Sequence, residues 1–228
     1  MVGRRQALAA LPGLALLAGS WLGREAAAAV ALAEAEARDL GRRLAASADE
    51  NYFAAADTNP YGQRLATFAS RITDDGGLDL NFKVYLVQQA NAFGLADGSI
   101  RLYSGLMDVM DNDELRFIAG HEIGHVMAGH ARARLERALG SLGKPATALA
   151  ESDLRALMAP AVFAPYSEAE EHEADDFALK FLARHKTDGA AAVSALQKLA
   201  RFHPRRESWV TTHPAPGDRA QRLRNLTG

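Results

Sequence analysis

The stretch IAGHEIGHVMAGH, Ile118 to His130, decides how the rest of the chain is read. Apolar residues thread it at helical spacing: Leu115, Ile118, Ala119, Ile123, Val126 and Met127. Asp111 to Asp113, just ahead, supply N-cap candidates and first-turn acids. The pattern predicts one helix from Asp111 to Leu139. Each helical residue turns by about 100°, so His121 and His125 lie roughly 40° apart, one turn up the same face. Both imidazoles can reach one point above that face, and Glu122 can lean over a water held there. This is the HExxH arrangement, two metal ligands and a general base. Gly120 and Gly124 each lower helix propensity by about 1 kcal/mol relative to Ala. They are expected where another element packs closely.

A catalytic zinc takes three protein ligands and keeps a position for water. His130 is the tempting third. The longer HExxHxxGxxH pattern fails, because Ala128 and Ala131 stand where its Gly and His belong. On a continuous helix His130 lies nine residues, roughly 900°, from His121 and so on the opposite face. It is therefore expected away from the metal, on the surface or packed. The segment PYSEAEEHEADDFALKFL, Pro165 to Leu182, offers the missing ligand on a second predicted helix. Glu171 can bind a metal directly, and Asp175, one turn on, can accept the N–H of a ligand histidine and fix its tautomer. Periodicity alone does not choose Glu171 over Glu170 or Glu173.

Composition narrows the chemistry further. At 228 residues the chain suits one domain with a real core. Its net charge of -2, without any Lys/Arg-rich run, argues against a nucleic-acid partner. The absence of cysteine excludes disulfides, thiolate zinc sites and cysteine nucleophiles, leaving His, Asp and Glu to hold any metal. At the N-terminus, Arg4 and Arg5 precede an apolar run from Ala7 to Ala18, and small residues follow at Ala26 to Ala29. That is the layout of a signal peptide over residues 1–29, compatible with twin-arginine export. Ser20 stands where a lipoprotein cysteine would be, so lipidation is not expected. An uncleaved N-terminal anchor is the alternative.

Residues 30–228 then read as one domain. Helical patterns are expected near 29–50 and 63–72, a strand over 80–88, and a hairpin broken by Gly94 and Asp97-Gly98. A mixed connector with one short helix follows the 111–139 helix, and further helices end the chain. The expected class is α+β, mainly helical, with a small sheet or hairpin beside the HExxH helix.

Four blocks, in order, resemble the M48 family of zinc metallopeptidases: NAFGLADGSIRLYSGLM (91–107), DELRFIAGHEIGHVMAGH (113–130), PYSEAEEHEAD (165–175) and TTHPAPGDR (211–219). The exported, soluble branch is the most similar. The resemblance implies a zincin-type domain holding one zinc ion per chain. It matches His121, His125 and Glu171 to the ligands, Glu122 to the base and Asp175 to the supporting acid. It also implies a histidine near the metal at His213, able to occupy or gate the open position or to assist the transition state, and a basic residue at Arg219. The chain departs from the family in carrying Glu168 where an arginine is usual. Asn91, Ala92 and Phe93 with the hairpin offer either a strand edge for an extended peptide or simply a core element. Tyr166 is a candidate oxyanion donor, whereas His172, His185 and His203 find no functional partner in the sequence.

The activity implied is zinc-dependent endopeptidase cleavage of unfolded polypeptides, in the periplasm or close to a membrane. A chaperone-like assembly factor with a latent or structural zinc, and a zinc hydrolase of cell-wall peptides, are the rivals.

Overall fold

The computed structural model describes residues 31–70, 72, 77–202 and 208–227. The expected signal segment, 1–29, and His203 lie outside the described residues. The helices are α1 (Glu34–Asn51), α2 (Pro60–Ala69), α3 (Ser104–Val109), α4 (Asn112–Met127), α5 (His130–Leu142), α6 (Glu151–Phe163), α7 (Glu168–Arg184), α8 (Ala190–Leu199), α9 (Trp209–Thr212) and α10 (Pro216–Thr227). The strands are β1 (Asn81–Tyr85), β2 (Ala92–Gly94) and β3 (Ser99–Tyr103). The class is α+β and mainly helical, as expected from the sequence.

The sheet has the order β1-β3-β2, with β1 parallel and β2 antiparallel to β3. Side chains alternate across it. Val84, Ala92, Ile100 and Leu102 enter one core with residues of α4, α7 and α8. Tyr85, Phe93 and Tyr103 enter another with residues of α1, α5 and α6. The sheet is thus the middle layer between two sets of helices. The hairpin was legible from its turn residues, and Gly98 takes the φ of +94° that its turn requires. The segment after Tyr103 turns into α3 rather than continuing extended.

α4 starts where the caps predict. Asp111 accepts hydrogen bonds from the N–H groups of Asp113 and Glu114, both at 2.9 Å, and the Glu114 carboxylate accepts from Asp111 N–H at 2.7 Å. Buried Glu114 also pairs with Lys198 and Ser194, each at 2.6 Å, which ties α8 to this end of the helix. α7 begins on a second capping box, Ser167 with Glu170. The two helices cross in intimate contact at the glycines. A Cβ on Gly124 would come within 3.1 Å of the Ala174 backbone, and one on Gly120 within 2.6 Å of the Phe181 ring.

The long helix expected from Asp111 to Leu139 is corrected here. It breaks after Met127: Ala128 caps α4, Gly129 takes the left-handed φ of +78°, and α5 restarts at His130 in a new direction. The connector also holds a full helix, α6, with Pro160 inside it.

Candidate metal centre

α4 and α7 bring the two ends of the sequence pattern together. His121 Nε2 and His125 Nε2 lie 3.0 Å apart, and Glu171 offers Oε2 at 3.6 Å to the first and Oε1 at 3.5 Å to the second. His213, from the turn after α9, joins them: one ligand atom from each of the four residues lies within 4.8 Å of every other. Glu122 flanks the group, its Oε1 3.3 Å from His213 Nε2 and held by the Trp209 indole N–H at 3.2 Å. All five side chains are buried.

The outer partners fix how these groups point. His121 Nδ1 lies 3.0 Å from Asp175 Oδ1. Arg219 donates to both oxygens of Asp175, at 2.6 and 2.9 Å, and also to Glu171. The His213 Nδ1–H meets the Thr212 hydroxyl at 2.8 Å, and that hydroxyl donates onward to the Trp209 carbonyl, so Nε2 is left facing the group as a lone pair. The His213 ring stacks on Trp209 with centroids 4.4 Å apart, and the His125 ring stacks on Tyr166 at 3.6 Å.

Electrostatics matches a cation at this point. Burial lowers His121 to about 4 and takes His125 and His213 well below the ordinary imidazole value. All three are therefore neutral donors, the state that binds metal. Burial raises Glu122 to about 7, against the pull of Trp209, Arg134 and the Gly94 N–H. Burial likewise raises Glu171 to about 9, against the pull of Arg219. Burial would raise Asp175 too, but Arg219 outweighs it and holds that carboxyl below the usual range. Glu122 Oε2, Glu171 Oε1 and His213 Nε2 are buried polar atoms with no hydrogen-bond partner, a costly state that for Glu171 and His213 a metal ion would relieve. The donor set fits zinc, which accepts imidazole nitrogen and carboxylate oxygen.

The other sequence candidates fall as follows. Asn91, Ala92 and Phe93 are buried, and the Phe93 ring packs on Tyr85, Tyr103 and Phe163. Any contact they make with a peptide runs through the backbone of β2, an edge strand whose Gly94 packs against the Glu122 backbone. The Tyr166 hydroxyl is buried without a partner. Its ring lies on His125, with the Arg134 guanidinium 4.1 Å from the ring centre. Arg134 was missed in the sequence, where nothing marks it apart from other α5 arginines. Glu168, the departure from the family pattern, faces solvent, and the cations buried near Glu171 are Arg219 and Arg134.

His130 stays outside the donor group and is packed, but not on the opposite face expected for it. The break at Gly129 turns it back toward α4, where it is buried with Nδ1 3.0 Å from His125 Nδ1. Its Nε2 lies 3.2 Å from Glu173 Oε2.

Comparison with known proteins agrees with this geometry. The model of peptidase family M48 matches residues 59–227. The metalloprotease LoiP of Escherichia coli is 34% identical over 214 residues, covering 89% of this chain and 85% of that protein. The metalloprotease YcaL of the same organism is 32% identical over 214 residues, covering 89% of this chain and 84% of its own length. A putative beta-barrel assembly-enhancing protease of Vibrio cholerae is 35% identical over 180 residues, 69% of this chain but 36% of that protein. With the match extending over most of its length and the HExxH helix at the heart of its buried donor cluster, the chain belongs to peptidase family M48, a family of metalloproteases.

Proposed function

We propose that this chain is a zinc-dependent endopeptidase acting on unfolded polypeptides. The observation that carries the reading is the convergence of His121, His125 and Glu171 on one buried point with the Glu122 carboxylate beside it. These three residues hold one zinc ion per chain, with His213 within reach of the same point. Bound there, zinc supplies a Lewis acid that polarises the scissile carbonyl and acidifies a water. Glu122 takes the proton of the attacking water and passes it to the leaving amine. The Trp209 N–H holds Glu122 Oε1, which leaves Oε2 for that proton. Asp175, locked by Arg219, keeps the hydrogen of His121 on Nδ1 and its lone pair on Nε2. An extended peptide adding to the edge of β2 would be held by main-chain hydrogen bonds, which favour unfolded chains over any one sequence.

The protein loaded with zinc is expected to cleave casein. Glu122→Gln is expected to bind zinc yet lose cleavage by about 100-fold or more. Equal cleavage by the variant would remove Glu122 from this role.

A second reading rests on the burial of every residue in the centre. In this closed form the chain would serve as a latent protease or a chaperone-like factor, and His213 would occupy the position a substrate needs. Capture of unfolded clients without cleavage, unchanged by Glu122→Gln, favours that reading. We place the protein outside the cytoplasm, on the signal-like residues 1–29. The Vibrio relative is named for enhancing beta-barrel assembly, which supports our reading of envelope proteins as the substrate class, although the match spans only 36% of that protein. Cell fractionation with N-terminal sequencing tests the address; an intact Met1 in the cytosolic fraction would count against it.

A further inference from the structure

We propose that His130 is a positioning residue for the metal centre: it accepts the Nδ1 hydrogen of His125, is itself held by Glu173, and so fixes the ring and tautomer of that ligand. The proposal rests on the reading of His121, His125 and Glu171 as metal ligands.

The direction of the bonds follows from the contacts. His125 turns Nε2 toward His121 and Glu171, so Nδ1 is the atom left to face outward. It lies 3.0 Å from His130 Nδ1, and two N–H groups cannot face each other at that distance. A ligating Nε2 carries no hydrogen, which places the hydrogen on His125 Nδ1 and the lone pair on His130 Nδ1. His130 must then carry its own hydrogen on Nε2, where the Glu173 carboxylate, 3.2 Å away, accepts it. One consistent chain runs from the buried ligand to a carboxylate at the surface.

The backbone makes this possible. The left-handed Gly129 ends α4 and restarts α5, so His130, five residues after His125, folds back onto it. Glu173 sits two residues after Glu171 on α7, and that one helix therefore supplies both a donor to the centre and the far end of this chain. The two ligand histidines become unequal. His121 leans on a buried carboxylate, Asp175, whereas His125 leans on a neutral imidazole, a weaker acceptor.

Chelator competition on the full chain measures zinc affinity independently of proteolysis. His130→Phe keeps the volume and removes the acceptor; the zinc dissociation constant is expected to rise about 10- to 100-fold. His130→Asn, whose amide oxygen can take the place of Nδ1, is expected to restore most of it. A packing role alone would not distinguish the two variants in this way. Ring 15N spectra of the zinc-loaded natural protein are expected to place hydrogens on His125 Nδ1 and His130 Nε2. Affinity of His130→Phe within about threefold of the natural chain would overturn the proposal alone, given the effect usual for such partners. So would a hydrogen on His130 Nδ1, a result that does not depend on any variant folding. Failure of the natural chain to bind zinc would overturn the metal reading itself, and this proposal with it.

Discussion

A single acid illustrates how much each side chain here depends on its partners. Asp175 receives two hydrogen bonds from Arg219 and faces His121 Nδ1, all of it buried. Asp175→Asn preserves the shape and removes the charge. Zinc affinity is expected to fall roughly 10- to 100-fold, because His121 loses its strong acceptor. Stability is expected to fall by about 3–5 kcal/mol, because Arg219 stays buried with one partner fewer. Chelator competition and urea unfolding read the two effects separately; an unchanged zinc affinity would detach Asp175 from the metal. At this scale the sequence was informative where spacing is local. His121, Glu122 and His125 share one helical turn, so geometry follows from their numbers alone. Glu170, Glu171 and Glu173 could not be ranked that way. Packing separates them: Glu170 caps α7 through Ser167, Glu171 enters the centre, and Glu173 meets His130.

Between elements, close approach does the positioning. α7 reaches the HExxH helix because Gly120 and Gly124 carry no side chain. Gly124→Ala raises helix propensity by about 1 kcal/mol, yet its Cβ would sit 3.1 Å from the Ala174 backbone. A net loss of about 1–3 kcal/mol is expected in urea unfolding, since backbone cannot step aside as a side chain can. A stabilised variant would contradict this packing. α1 is fastened to the sheet by Asp49, which accepts from Lys83 at 2.7 Å, Tyr85 at 2.6 Å and Arg101 at 3.0 Å. Burial would raise the Asp49 carboxyl, but these donors outweigh it and hold it below its ordinary value. A lowered folded value stabilises above the unfolded value, near 3.8, and that contribution is lost as pH falls through the folded one. Asp49→Asn is therefore expected to lower stability at neutral pH and to flatten the acid side of the profile. An unchanged acid limb in a pH series of melts would exclude the Asp49 contribution.

For the whole molecule, the question is how a substrate enters a centre with no exposed member. The segment before α7 and the turn after α9 cover it together, joined by the Tyr166 N–H to Thr212 carbonyl bond at 3.1 Å. If they open as a unit, the amides of Tyr166 and His213 exchange with solvent at matching rates, faster than those of residues 118–126. Hydrogen exchange reads this directly, and equal protection across all three segments would argue for a rigid cover. No helix among the described residues is long and apolar enough to cross a membrane. What the sequence determined by itself was the α+β class, the hairpin, the helical HExxH pair and the need for a ligand from elsewhere, because each follows from short-range period, turn chemistry and residue type. What only the tertiary structure decided was the company those residues keep. One left-handed glycine, Gly129, redirects α5 and turns His130 from an outward-facing residue into a neighbour of the centre. Contacts such as Arg219 with Asp175 and His213 with Glu122 join residues separated by 44 and 91 positions. No periodicity reaches that far; only the packing of distant elements against one another brings such groups to within 3.3 Å.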